Sequence, residues 1–260
     1  MSGAKPQVCY IRAVLDSLQY HILRSIVPPK SKGDRPSSYG GQKSKLSILM
    51  GGAFFSSIAG KTVVDFGCGE GAEAIEMARK GAARVIGIDI REDVLNIARK
   101  NAEAAGVQDR CVFGTSATEL ADVIVSLDAF EHFGRPDEIL RIMHGLLKPG
   151  GEVWISFGPT WYHPMGGHLF SVFPWAHLIF SESALIRWRG DFKSDGATKF
   201  SETAGGLNQM TIRRFETLIA GSSFECADLE LVPIRKLRPV HNTLTREFFT
   251  SIVRCRLKRA

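Results

Sequence analysis

The chain has no Cys-x-x-Cys pair, and its five cysteines, Cys9, Cys68, Cys111, Cys226 and Cys255, are scattered and odd in number. That pattern argues against a disulfide scaffold or a cysteine-held structural zinc and fits a reducing cytoplasm. Long apolar runs are also missing, so no stretch reads as a bilayer span. The nearest, residues 8–27, is broken by Arg12, Asp16, His21 and Arg24 and lacks the apolar core and cleavage site of a signal peptide. It reads instead as an amphipathic helix. There is no internal repeat and no long low-complexity tract. Charge of one sign is not concentrated either. The 33 basic and 27 acidic residues leave +6, and the densest basic run, Arg254, Arg256, Lys258 and Arg259, reads as a solvated strand edge and tail. What is present is an ordinary globular composition, 44% hydrophobic over 260 residues. That suffices for one large domain carrying an insertion.

Residues 1–60 form a helical lead-in or lid, with helical apolar spacing over 10–26 and 46–58. Between them, residues 28–41 are rich in Pro, Gly and Ser and suit a loop or hinge. From residue 61 to 260, strands and helices alternate. Apolar runs at 62–66, 84–90, 111–113, 123–127 and 152–157 predict strands. Helical patterns at 72–80, 92–105 and 137–147 lie between them, the last stopped by Lys148-Pro149-Gly150-Gly151. Strands apolar on both faces that alternate with helices predict a doubly wound, Rossmann-like α/β sheet in three αβα layers. After the fifth strand the alternation pauses over 158–206, too long for an ordinary connection and so an insertion over the substrate side. A helix at 212–220 and strands at 228–234 and 248–257 close the chain. The last strand is expected to run antiparallel to an otherwise mostly parallel sheet.

The strongest local signal is Val63-Val64-Asp65-Phe66-Gly67-Cys68-Gly69-Glu70-Gly71. A buried strand runs into a glycine-rich turn that opens a helix, where bare backbone N–H groups can meet an anionic ligand group. Gly67-x-Gly69-x-x-Ala72 also fits a dinucleotide fingerprint. Asp89, ending the second strand, could hold a ribose in either ligand. Asp65 separates the two: a carboxylate there repels a pyrophosphate and attracts an ammonium or sulfonium.

The Gly-x-Gly-x-Gly turn resembles the first motif of class I S-adenosylmethionine-dependent methyltransferases, of the type 11-like domain. Asp89 resembles their ribose-binding acid. Residues 123–132, ending Leu127-Asp128-Ala129-Phe130-Glu131-His132, resemble their fourth strand and its turn, and residues 146–151 resemble the turn before their fifth. The resemblance covers residues 62–157. It implies a cytoplasmic transferase, with S-adenosyl-L-methionine as cofactor and S-adenosyl-L-homocysteine as product. It also implies contacts from Asp65, Gly67, Cys68, Gly69, Gly71, Asp89, Ile90, Leu127, Asp128 and His132. Relatives often carry an aspartate after strand three to bind adenine. Here Thr115, Ser116 and Ala117 occupy that region, so hydroxyls or backbone take its place.

In-line methyl transfer requires alignment and exclusion of water, and a base only where the acceptor must lose a proton. The base candidates are Glu131, His132, His163 and His168. His163, His168 and His177 with Glu131 could alternatively converge on a metal, although their spacing matches no standard motif and none is assigned. The aromatic stretch 170–180 either packs the insertion onto the core or walls an apolar pocket. Cys68 reads as a small buried filler and Trp154 as core. The expected partner is a small aromatic or apolar methyl acceptor, with no stable nucleic-acid partner and a monomeric or homodimeric chain. Rival readings are an RNA or protein methyltransferase, a NAD-dependent oxidoreductase, and a non-catalytic module that retains the cofactor fold.

Overall fold

The computed structural model describes residues 5–27, 44–203 and 205–259; the expected hinge at 28–41 lies outside them. Helices α1 (Lys5–Ile26), α2 (Lys45–Met50) and α3 (Gly52–Ile58) lead into β1 (Thr62–Phe66). Then come α4 (Ala72–Arg79), β2 (Arg84–Ile88), α5 (Glu92–Ala104), β3 (Cys111–Gly114), β4 (Ala121–Leu127), α6 (Pro136–Leu146) and β5 (Leu147–Phe157). The insertion contributes α7 (Ala176–Ile179) and α8 (Glu182–Gly190). The chain ends with α9 (Ile212–Ala220), β6 (Phe224–Pro233), α10 (Arg246–Phe249) and β7 (Thr250–Arg259).

The seven strands are ordered β3-β2-β1-β4-β5-β7-β6. β1 to β5 pair in parallel, and β7 runs antiparallel to both neighbours. The alternation along each strand builds the layers. Val64, Phe66, Ile86 and Ile124 face one side, with Leu140 and Met143 of α6 and Phe215 of α9. Val63, Val85, Val123 and Val125 face the other, with Leu46, Phe54, Ala74 and Met77 from α2 to α4. Strand order reverses between β1 and β4, so the crevice beyond their carboxyl ends is where an open α/β sheet binds ligands.

Local chemistry explains where the element limits depart from expectation. The single helix expected over 46–58 is two, because Gly51 between them adopts φ +76°. Ser44 caps the first, its Oγ accepting from Ser47 N at 3.1 Å. Residues 148–151, expected to lie between the helix and a strand starting at 152, instead bulge within β5: Leu147 pairs with Ala121 and the next partners are Glu152 and Val123. Pro149 has no N–H to donate, and Gly150 takes φ +73°. The last strand begins at Thr250, since 246–249 form a helical turn whose Phe248 ring packs on Tyr162 at 5.5 Å.

The insertion has its own small core. Phe170, Leu185, Trp188 and Phe200 cluster with Tyr20 and Leu23 of α1, and the Tyr20 hydroxyl donates to Asp191 at 3.0 Å. His177 pins this segment. A carbonyl can only accept, so His177 Nε2–H donates to Trp161 O at 2.6 Å, and Nδ1 then accepts from Ser171 Oγ at 2.9 Å. Much of the aromatic stretch 170–180 is thereby packing.

Candidate active site

The glycine turn follows directly from β1. Gly67 N and Cys68 N both donate to Ile88 O, at 2.8 and 2.9 Å, which locks the bend onto β2. Gly71 sits at φ +82° as the N-cap of α4, and a Cβ there would lie 2.9 Å from Ala98 Cβ and from the Phe113 ring. Gly71→Ala therefore combines a disfavoured dihedral with a clash. We expect a loss of about 2 kcal/mol, a drop in Tm of roughly 4–8 °C by thermal melt.

Gly67, Asp89, Ile90, Thr115, Ser116, Ala117, Asp128 and His132 line one cleft of about 830 Å³. Eight of the residues expected from the sequence thus share one wall. Asp89 is 8% exposed and organised from several sides. Its carboxylate accepts from Gly69 N at 3.1 Å, from Arg91 N at 3.0 Å and from Arg91 Nε at 3.2 Å. Burial alone would raise its pKa, but the Arg91 and Gly69 hydrogen bonds outweigh it and hold the carboxyl below its usual range. Ile90 stands 90% exposed on the rim, an apolar surface available to a flat ring.

Other expected residues lie behind this wall. Cys68 is buried, its thiol pKa raised by desolvation and by Asp65 and Asp89, which fits a filler rather than a nucleophile. Leu127 is in the core. Gly69 holds Asp89, and Gly71 packs α4 on α5. Asp65 is 3% exposed and one oxygen, Oδ2, has no hydrogen-bond partner. Burial first, then the nearby Glu73 carboxylate, push its pKa up to about 8, against the opposing pull of Lys45. A buried carboxyl with one oxygen unsatisfied, next to the glycine turn, is a feature that marks ligand sites.

Sequence reasoning missed Lys45. It leaves α2 to pair with Asp128 at 3.3 Å and Glu73 at 3.4 Å, and nothing marks it locally, since the contact spans the fold. Arg91 was also missed, although its place two residues after Asp89 is a usable signal. Phe133, Ile139 and Ile142 line the cleft from the α6 side.

The four base candidates separate. His132 Nδ1 lies 2.7 Å from Gly206 O, so Nδ1–H donates and Nε2 is left as an acceptor. Its ring meets His168 edge to face at 5.3 Å. Both line a second cavity of about 500 Å³ with Phe170, Arg189, Lys193 and Leu207. His132, Thr203 and Gly206 border both spaces and form the partition between them. His168 takes φ +53°, its Nε2 is buried without a partner, and burial and then His132 lower its pKa to about 4. His163 lines neither space; its Nδ1 accepts from Met165 N at 3.0 Å, and burial lowers its pKa to about 4. Glu131 is 4% exposed beneath the turn, pushed up to about 8 by burial, with Oε2 unpartnered. Asn208, unmarked in the sequence, staples that turn by donating to Phe130 O and Phe133 O at 2.8 and 2.9 Å. Among the described residues no group of three or more His, Cys, Asp or Glu side chains is arranged to hold a metal ion.

A doubly wound sheet in this order, with a glycine-lined cleft at its switch point and an acid gripping the turn, defines a Rossmann-like nucleoside-binding fold. Residues 58–159 match the family described as a methyltransferase domain, and over that segment the sheet has the class I methyltransferase fold. The chain is 40% identical over 106 residues to a ubiquinone biosynthesis O-methyltransferase of Acinetobacter baylyi, a match covering 38% of this chain and 44% of that protein. It is 37% identical over 100 residues to a ribosomal protein L11 methyltransferase of Photobacterium profundum, covering 38% and 34%. The chain thus spans less than half the length of these curated relatives. A solved S-adenosylmethionine dependent methyltransferase from Mesorhizobium loti shares the fold at TM-score 0.52 and 18% identity, covering 80% of this chain and 94% of that one.

The residues present fit S-adenosylmethionine. Asp89 and the Thr115–Ala117 edge suit a ribose and a purine. Asp65, whose Oδ2 lacks a partner, suits the cationic amino-acid end.

Proposed function

We propose that the protein is an S-adenosylmethionine-dependent methyltransferase acting on a small acceptor with an aromatic or apolar body and a polar end. The observation that carries this reading is the adjacency of two spaces across His132: a cofactor-shaped cleft containing Asp89, and a second cavity under the insertion. Bound S-adenosylmethionine supplies an electrophilic methyl group. Asp89, preset by Arg91 and Gly69, holds the ribose; Asp65, Gly67 and Gly69 surround the amino-acid end. The insertion, docked on α1, acts as a cap that shields the junction from water, which favours charge dispersal in the transition state. Phe170 and Leu207 offer apolar surface to the acceptor, and Lys193 and the Arg189–Asp195 pair offer polar surface.

His132 is the favoured base. The Gly206 carbonyl fixes its tautomer and leaves Nε2 to receive the proton of an acceptor hydroxyl or amine. His168 orients that ring, since its low pKa keeps it neutral and prevents a like-charge clash when His132 takes up a proton. Glu131 and His163 support their segments from within.

Labelled-methyl transfer into a metabolite extract, with the product identified by mass spectrometry, tests the reading; absence of any labelled product under conditions where the cofactor binds would contradict it. With the acceptor in hand, His132→Ala should lower kcat by about 10²–10³-fold with cofactor affinity within about twofold of wild type. An unchanged kcat would remove His132 from the chemistry.

A further inference from the structure

Helix α1 has two apolar faces and the fold uses one. Tyr20 and Leu23 are buried against the insertion, and Asp16 on the same side accepts from Ser181 Oγ at 2.6 Å. The opposite side is solvent-facing. Ile11, Val14, Leu15, Leu18, Ile22 and Ile26 are each 40–56% exposed, and at 3.6 residues per turn they form one continuous stripe. Arg12 borders the stripe on one side, His21 and Arg24 on the other, all three exposed, with Arg24 also paired to Asp191 at 3.2 Å. The chain that α1 ties down next to it, through Gln19 Oε1 accepting from Ser181 N at 2.7 Å, adds Ile179 at 60% exposure. Charge tells which occupant this face suits. Asp16, the one carboxylate in residues 5–26, points to the insertion, and Asp191 is taken by Arg24, so two copies of the helix laid stripe to stripe would bring no carboxylate of their own to Arg12. An apolar stripe with basic borders, on a helix not apolar enough to cross a membrane, matches the physics of an in-plane interfacial helix.

We propose that α1 lays this stripe on an anionic lipid surface, holding the insertion and its cavity against the bilayer. The contact needs neither cofactor nor acceptor, so it stands or falls separately from methyl transfer. Co-sedimentation of the full chain with phosphatidylcholine vesicles, with and without about one-third phosphatidylglycerol, tests it. Binding should require the anionic lipid, weaken as salt rises, and fall at least about tenfold in Leu15→Glu/Leu18→Glu and in Ile22→Glu. Unchanged S-adenosylhomocysteine affinity in those variants shows that they remain folded. Wild-type protein left in the supernatant, equal binding to both vesicle types, or equal binding by the variants overturns the proposal. So does a stripe-dependent dimer that ignores vesicles, which would assign the face to a second copy.

Discussion

Asp65→Asn should weaken S-adenosylhomocysteine binding by about 10–100-fold while raising the Tm of the unliganded protein by roughly 3–8 °C at pH 8. The two effects have opposite signs because one carboxyl serves two states. Without ligand, Asp65 is buried and Oδ2 is unpartnered, so its folded-state pKa is about 8 against an unfolded value near 3.8. Between those values the folded chain holds a proton that the unfolded chain has lost, and stability falls as pH rises through that window. Asparagine has no such proton and flattens this part of the profile; Glu131, also near 8, leaves a residual slope. When a cationic ligand arrives, ionised Asp65 gains its partner. Binding should therefore release close to one proton near pH 7, and affinity should rise from pH 6 to pH 8. Calorimetry in buffers of different ionisation enthalpy measures the proton, and thermal melts across pH measure the stability term. Normal binding by the Asp65→Asn variant would contradict the role given to this carboxyl.

Asp89→Ala should reduce cofactor affinity by about 100-fold or more, the loss of two charge-assisted hydrogen bonds to a ribose diol at about 1.5 kcal/mol each. The fold should persist, because Asp89 lies at a strand end and its removal leaves Arg91 in solvent. Asp89→Asn should recover part of the affinity, since its amide oxygen can still accept from Gly69 N. Equilibrium titration with S-adenosylhomocysteine, with circular dichroism to verify the fold, gives the outcome. Affinity within about threefold of wild type would remove Asp89 from the binding site.

The parallel core was legible because its signals are local. β1, the glycine turn, Asp89 and the 123–132 segment each state their geometry within ten residues, and alternation on both strand faces implied two flanking layers. What could not be read was made by contacts across the chain. Lys45 reaches Asp128 and Glu73 from a helix that precedes the sheet, and Gly206 and Asn208 shape the turn after β4 from the far end of the insertion and just past it. Nothing next to these residues announces such partners. The insertion histidines show the same limit from the other side. His163, His168 and His177 look alike in sequence, yet one supports a turn, one borders a cavity and one clamps Trp161 to Ser171. Even the bulge at 148–151 keeps the sequence logic, since proline and glycine do break the pairing, but the strand resumes beyond it with its register shifted.

Calorimetric titration of the purified chain with S-adenosylhomocysteine and, separately, NADH is the most direct measurement. A carboxylate-based cleft at the β1/β4 crevice predicts one S-adenosylhomocysteine site per chain, micromolar or tighter, weakened about 100-fold or more by Asp89→Ala, with no saturable NADH binding. Saturable NADH binding with no response to S-adenosylhomocysteine would contradict it.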